Sequence, residues 1–268
     1  MKRAKLTIKE VEALLSSPEI QSEKLEELYQ DERKSVQAAL RRYERQQAEV
    51  RRLHKLYRYE DECLSQGYNL VAGTDEAGRG PLAGPVAAAA VILPSHCILP
   101  HLNDSKRLSA LRREKLYDII IAEAVAYDVE LIEPAQIDRT NILLATQQAM
   151  CMAIEGLSPK PDIVITDAVR LPLAVPYWPL IRGDNLSASV AAASILAKVT
   201  RDRIMLEYDK LYPEYGFAKH KGYGTKEHLA ALAEHGPCPI HRMNFEPLRS
   251  WLSEKNFRQK YTQLGIFK

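Results

Sequence analysis

The sequence predicts an α/β fold, preceded by a helical extension and followed by a helical C-terminal segment. Three observations carry this. Between about residues 69 and 211, short apolar runs alternate with longer stretches of helical period, the pattern of a layered α/β architecture. From residue 21 to 64 the chain is dense in charge and free of glycine and proline, while Val36, Leu40, Tyr43, Val50, Leu53 and Tyr57 recur at helical spacing. Three apolar runs end in acid, at Asp75-Glu76, at Asp167 and near Asp184.

The elements follow in order. Thr7-Ile8-Lys9-Glu10 has capping-box spacing and opens a short helix through Leu15, which Ser16-Ser17-Pro18 breaks. Residues 21–64 read as one or two long helices. Their second half is basic through Arg41, Arg42, Arg45, Arg51, Arg52, Lys55 and Arg58. That charge reads either as a solvated face or as an arm on a nucleic-acid backbone. Strands are expected at 69–75, 86–93, 125–132, 161–167 and 177–182. Helices are expected at 108–123, 141–156 and 186–211, the last closed by Pro213. Beyond it the chain holds four of the seven histidines, with helices near 226–235 and 246–255.

Composition narrows the classes. A chain of 268 residues, 46% hydrophobic and 27% charged, suits one substantial globular domain plus an appendage. No apolar run reaches membrane-spanning length and no signal-peptide core follows the N-terminus, so a cytoplasmic protein is expected. Cys63, Cys97, Cys151 and Cys238 are far apart, without zinc-ligand spacing. A net charge of +2 leaves nucleic-acid binding to local patches. Nothing in the sequence demands more than a monomer.

The densest chemistry lies in Gly73-Thr74-Asp75-Glu76-Ala77-Gly78-Arg79-Gly80-Pro81-Leu82-Ala83-Gly84-Pro85. Gly78, Gly80 and Gly84 resemble a dinucleotide loop. Such a loop should open a helix, whereas Pro81 and Pro85 lead here into a second strand and a hairpin. Carboxylates at strand ends suit a hard divalent cation, and open α/β sheets place their sites there. Two magnesium ions about 4 Å apart would offset the repulsion among Asp75, Glu76, Asp167 and Asp184 and support phosphodiester cleavage. Taken singly, each acid also fits a turn or a helix cap, Asp184 especially. Adjacent strand residues face opposite ways, so Asp75 and Glu76 both reach one cation only if the strand ends or bulges there.

Six ordered motifs resemble those of bacterial ribonuclease HII. They are residues 73–82 and Asn103-Asp104-Ser105-Lys106-Arg107-Leu108-Ser109. Ile137-Asp138-Arg139-Thr140-Asn141-Ile142 follows, then Gly183-Asp184 with Ala191-Ala192-Ala193-Ser194-Ile195-Leu196-Ala197-Lys198-Val199-Thr200-Arg201-Asp202. His220-Lys221-Gly222-Tyr223-Gly224-Thr225 and His241-Arg242 complete the set. The resemblance implies a ribonuclease H-like mixed sheet flanked by helices. It implies an endonuclease acting on RNA/DNA hybrids and on single ribonucleotides embedded in duplex DNA. A two-metal Mg2+ or Mn2+ site of Asp75, Glu76, Asp167 and Asp184 is implied, as are 3′-hydroxyl and 5′-phosphate ends and a role in ribonucleotide removal. Gly78-Arg79-Gly80 would read the 2′-hydroxyl, the group that distinguishes RNA from DNA at one site. Tyr223 would pack on the following deoxyribose, or else serve as a turn aromatic. Lys106 would contact phosphate or cap an acidic turn with Asp104. His220, Lys221, His241 and Arg242 are candidate phosphate contacts, with ordinary surface roles as the alternative.

The implied organisation is a helical extension (1–68), a catalytic core (69–212), a helical substrate-binding segment (213–258) and a flexible tail (259–268). Asp167-Ala168-Val169 stands where the family often has Asp-Gly-Asn, which preserves the carboxylate and alters its neighbours. Gln263-Leu264-Gly265-Ile266-Phe267 resembles the peptide that docks bacterial replication proteins on the sliding clamp, with Gln263, Leu264, Ile266 and Phe267 as anchors. Two competing readings are a junction-resolving nuclease of related fold and a non-catalytic nucleic-acid adaptor.

Overall fold

The computed structural model describes residues 6–17, 20–95 and 97–253. The chain divides after Lys55 into two compact units. In the first, α1 (Ile8–Leu15) begins with the expected capping box, in which Thr7 accepts from the Glu10 N–H and Glu10 accepts from the Thr7 N–H. Together with α2 (Ser22–Tyr29) and the body of α3 (Lys34–Leu56), it buries Val11, Leu15, Leu28, Val36, Ala39 and Leu40. The expected one or two long helices are three, since α4 (Arg58–Ser65) starts anew after Tyr57. Between α2 and α3, Asp31 takes the backbone N–H, Nε and a terminal N–H of Arg33. A short polar side chain that bonds nearby backbone competes with the helix, and no glycine or proline is needed for that.

The second unit follows as β1 (Val71–Ala77), β2 (Val86–Ile92), α5 (Ala110–Glu123), β3 (Ala126–Ile132), α6 (Pro134–Arg139), α7 (Ile142–Gly156), β4 (Ile163–Asp167), β5 (Tyr177–Leu180) and α8 (Ala188–Leu211). The five strands make one mixed sheet in the order β3-β2-β1-β4-β5, antiparallel across β3, β2 and β1 and parallel across β1, β4 and β5. This is the expected hairpin and the expected layered fold. Helix α6 was not expected; Pro134 at its start suits a first-turn position whose N–H would lack a partner.

Helices cover both faces of the sheet. Ala145, Ala149, Met150 and Ala153 of α7 pack on the face bearing Ala72, Ala88 and Val164. Val190 of α8 packs with Val71, Ile163 and Ile165 on the other. Small residues set the spacing: a Cβ at Gly73 would fall 2.2 Å from the backbone of Ser189 and Val190. Helix α8 therefore lies almost on β1, two residues before Asp75. Glu60 of α4 reaches the same helix start and accepts from the N–H (2.9 Å) and hydroxyl (2.6 Å) of Ser189. A carboxylate there complements the positive end of a 24-residue helix.

The chain then forms α9 (Phe217–His220), which was not expected, α10 (Lys226–His235) and α11 (Leu248–Ser253). Asp138 of α6 ties this segment to the sheet layer by accepting from the N–H groups of Met243 (2.8 Å) and Asn244 (3.0 Å). The last expected helix is described only to Ser253, and the clamp-like residues Gln263, Leu264, Ile266 and Phe267 lie outside the described residues.

Candidate active site

Parallel pairing places Thr74 of β1 opposite Thr166 of β4, so Asp75 and Asp167 leave neighbouring strands side by side. Asp184 arrives from the turn Gly183–Asn185, after β5 has ended at Leu180. It does not cap α8; Ser187 does, accepting from the Val190 N–H. Asp75, Asp167 and Asp184 each offer a carboxylate oxygen, and these oxygens lie within 4.8 Å of one another. Asp167 is held by the Gly183 N–H (2.7 Å), Asp184 by the Asn185 amide (2.8 Å).

Glu76 stands outside this trio. The strand runs on to Ala77 rather than ending at Asp75, so consecutive side chains alternate. One Glu76 oxygen meets Arg79 at 3.2 Å; the other, Oε2, is buried without a hydrogen-bond partner. Burial pushes the Asp75 carboxyl well above its ordinary range, and the charges of Glu76 and Asp167 add to this. Glu76 is raised by burial against the opposing pull of Arg79, and Asp184 by burial together with Asp104 and Asp167. Lys106 reaches Asp184 at 3.6 Å with its side chain largely exposed. Partial burial disfavours its charge, yet the surrounding carboxylates outweigh that and hold its ammonium above the ordinary value. Its backbone N–H donates to the Asp104 carboxylate (2.9 Å), the capping turn of the two expected roles.

Beside the acids, two loops form one module. Gly78 has φ +96°, and a Cβ there would fall 2.1 Å from Arg201 Nε; Gly222 has φ +84°, and a Cβ would meet the Ala83 carbonyl at 2.4 Å. Only glycine fits both the backbone conformation and the space. Leu82 N–H donates to the Gly222 carbonyl (2.8 Å), and Arg242 N–H to the Leu82 carbonyl (2.8 Å). Tyr223 is 45% exposed, and a Cβ at Gly80 would lie 3.7 Å from its ring. The glycine-rich loop and the tyrosine thus present a joint surface.

Of the four expected phosphate contacts, Arg242, His241 and His220 are corrected. Arg242 is fully buried and donates to the carbonyls of Gly78 (2.6 Å), Arg79 (3.0 Å) and Gly84 (3.0 Å). His241 is buried against His228 and Cys238, and both ring nitrogens of His220 meet backbone groups, of Tyr215 and Gly222. Lys221 is half-buried and donates to the Ala218 carbonyl. Arg201 of α8, given no role in the sequence reading, is fully buried and donates to the carbonyls of Pro85 (2.9 Å), Ala83 (3.0 Å) and Lys221 (3.0 Å). Its signal was an arginine closing a run of small apolar residues, where a solvent-facing cation would be out of place.

A mixed five-stranded sheet with helices on both faces and acids converging at its strand ends defines a metal-dependent nuclease of the ribonuclease H-like fold. The ribonuclease HII family model matches residues 72–248, and that of the ribonuclease HII N-terminal domain matches residues 7–64. The chain is 52% identical over 250 residues to ribonuclease HII of Geobacillus kaustophilus, covering 92% of this chain and 96% of that one. It is 49% identical over 245 residues to ribonuclease HII of Enterococcus faecalis, covering 90% and 96%. Ribonuclease H2 of Pyrococcus horikoshii superposes with a TM-score of 0.61 at 28% identity, over 71% of this chain and all of that one. Ribonuclease HII of Archaeoglobus fulgidus, solved in complex with PCNA, superposes with a TM-score of 0.55 at 25% identity, over 66% and 96%. The chain belongs to the ribonuclease HII family.

Proposed function

We propose that this enzyme hydrolyses the RNA strand of RNA/DNA hybrids and nicks 5′ of single ribonucleotides in duplex DNA, leaving 3′-hydroxyl and 5′-phosphate ends for ribonucleotide removal. The observation that carries the reading is the convergence of Asp75, Asp167 and Asp184 beside the joint surface of Gly78, Arg79, Gly80 and Tyr223. The donor set fits hard divalent cations: it is all carboxylate oxygen, strained by burial and repulsion, with Glu76 Oε2 buried and unpartnered as a fourth candidate ligand. Bound Mg2+ or Mn2+ supplies Lewis-acid stabilisation and an activated water there.

The chain's own residues bind and orient. The backbone of Gly78, Arg79 and Gly80 meets the 2′-hydroxyl, and the Tyr223 ring packs on the next sugar, where a second 2′-oxygen would crowd it. Exposed Lys106 and half-exposed Arg79 face phosphate. Arg201 and Arg242 hold the reading loop in shape through its carbonyls.

The test is a nicking assay on duplex DNA holding one ribonucleotide, with and without magnesium, followed by end mapping. A magnesium-dependent nick 5′ of the ribonucleotide with 3′-hydroxyl ends is expected. Cleavage of all-DNA four-way junctions instead would favour the resolving nuclease, and binding without cleavage the adaptor. We further propose that the enzyme acts as a monomer in the cytoplasm and that Gln263, Leu264, Ile266 and Phe267 dock on the sliding clamp. The PCNA complex of the Archaeoglobus relative supports the idea of clamp docking. Loss of clamp binding in Phe267→Ala, with nicking intact, is the expected result.

A further inference from the structure

Behind Tyr223 lie three buried imidazoles: His220 at the end of α9, His228 in the first turn of α10, and His241 in the segment before α11. The Phe217 ring packs on all three, with centroids 5.4–5.9 Å away. Their polar links run in one direction. The Tyr223 carbonyl accepts from the Thr225 N–H (2.8 Å) and from His228 Nδ1 (2.9 Å). A carbonyl only accepts, so His228 carries its proton on Nδ1 and a lone pair on Nε2. That lone pair lies 3.0 Å from His241 Nε2, which must then be protonated. His241 Nδ1 is left with a lone pair, and the Cys238 N–H meets it at 2.9 Å. The Tyr223 end has fixed polarity. At the other end the Cys238 N–H is the shortest contact to His241 Nδ1 (2.9 Å), ahead of Cys238 Sγ (3.1 Å) and the Cys238 carbonyl (3.2 Å), and it agrees with the order that Tyr223 sets. The reverse order would set lone pair against lone pair at Tyr223 and trade the 2.9 Å contact with the Cys238 N–H for the longer one with the Cys238 carbonyl.

The third ring braces the adjacent peptide. His220 stacks on His228 (4.5 Å between centroids, 14° between planes). Its Nε2 meets the Tyr215 carbonyl (2.9 Å), and its Nδ1 accepts from the Gly222 N–H (3.2 Å). The turn so held contains Lys221 at φ 52°, a left-handed conformation that a non-glycine residue keeps only when its surroundings impose it. Burial pushes His228 down to about 4, and burial together with His228 pushes His241 down to about 3, so both rings stay neutral near neutral pH.

We infer that His228 and His241 form a buried, proton-ordered relay that fixes the Tyr223 backbone, making His228 a positioning residue for recognition of the RNA–DNA junction. The inference rests on the junction-reading role of Tyr223 given above. The relay touches neither substrate nor acids; it acts by setting where the Tyr223 ring stands relative to Gly80.

Two measurements on the full chain test it. The first is nitrogen-15 NMR of the imidazoles in the unmodified protein. The expected tautomers are Nδ1–H for His228 and Nε2–H for His241; the opposite pair overturns the relay whatever any variant does. The second is the ratio of nicking at a single embedded ribonucleotide to cleavage of a long hybrid. His228→Leu, which removes the donor to Tyr223, is expected to lower that ratio about tenfold, the scale of one buried hydrogen bond. His228→Asn places an amide nitrogen near the Nδ1 position and is expected to retain the ratio. In a Tyr223→Ala background, His228→Leu should lower it no further. If Tyr223→Ala lowers the ratio while His228→Leu leaves it unchanged, the positioning role is overturned and the junction reading survives. If Tyr223→Ala leaves the ratio intact, the junction reading itself falls and takes this inference with it.

Discussion

The acid cluster and the loop module beside it bury ionisable groups to opposite ends. Asp75, Asp167 and Asp184 face one another with few donors and no buried cation among them; Lys106 reaches in from solvent. Arg201, Arg242, His228 and His241 are as deeply buried, but their hydrogens go to carbonyls and ring nitrogens of the same module. Unmet charge invites a ligand, whereas satisfied charge fixes a shape. The comparison teaches that burial of charged groups does not by itself mark a catalytic residue; like charges gathered without a cation between them point to one.

The contrast can be broken at several points. The largest effect belongs to the acids: Asp75→Asn should lower magnesium-dependent nicking by about a thousandfold or more, since a neutral amide replaces a central oxygen ligand. Substrate binding, read by gel shift, should persist. Unchanged turnover would remove Asp75 from the site. Tyr223→Ala should lose roughly ten- to hundredfold on single embedded ribonucleotides, the scale of aromatic stacking on nucleic acid, and much less on long hybrids. Equal losses on both substrates would place the ring outside junction recognition.

The two regions should also differ in stability. Arg242→Met leaves three carbonyls without their donor and should cost about 3 kcal/mol in chemical denaturation. Asp75→Asn should instead stabilise the cation-free protein by about 1 kcal/mol, by relieving repulsion. If both variants destabilise alike, the contrast drawn here fails. The smallest effect concerns pH. His228 is held down to about 4 in the fold against an ordinary value near 6.5. Between these values the unfolded chain binds the proton and the folded chain does not, so its contribution to stability is full above pH 6.5 and is lost as pH falls toward 4. Melting curves of His228→Asn should therefore fall less steeply than wild type over that range. Parallel curves would mean that His228 titrates normally.

Much of this was legible in the sequence, for identifiable reasons. The sheet showed through alternating runs because strands β1, β2 and β4 are buried on both faces. The acids showed because each closes or follows such a run. The role of Glu76 was less legible: strand β1 continues two residues past Asp75, and only the register shows which way Glu76 turns. His241 and Arg242 were misread because a basic pair after a turn holding Pro237 and Pro239 looks the same in sequence whether it meets phosphate or buried carbonyls. Their burial depends on distant partners: Arg242 meets carbonyls up to 164 positions away, and His241 packs on the Phe217 ring. Helix α9 was hidden because four residues give no periodicity.

The central claim is that three converging carboxylates hold divalent cations. Thermal unfolding of the wild-type protein with increasing magnesium, beside Asp75→Asn under the same conditions, tests it most directly. The account predicts a melting temperature that rises with magnesium in the wild type and stays flat in the variant. An identical response in both proteins, or none in the wild type, would contradict it.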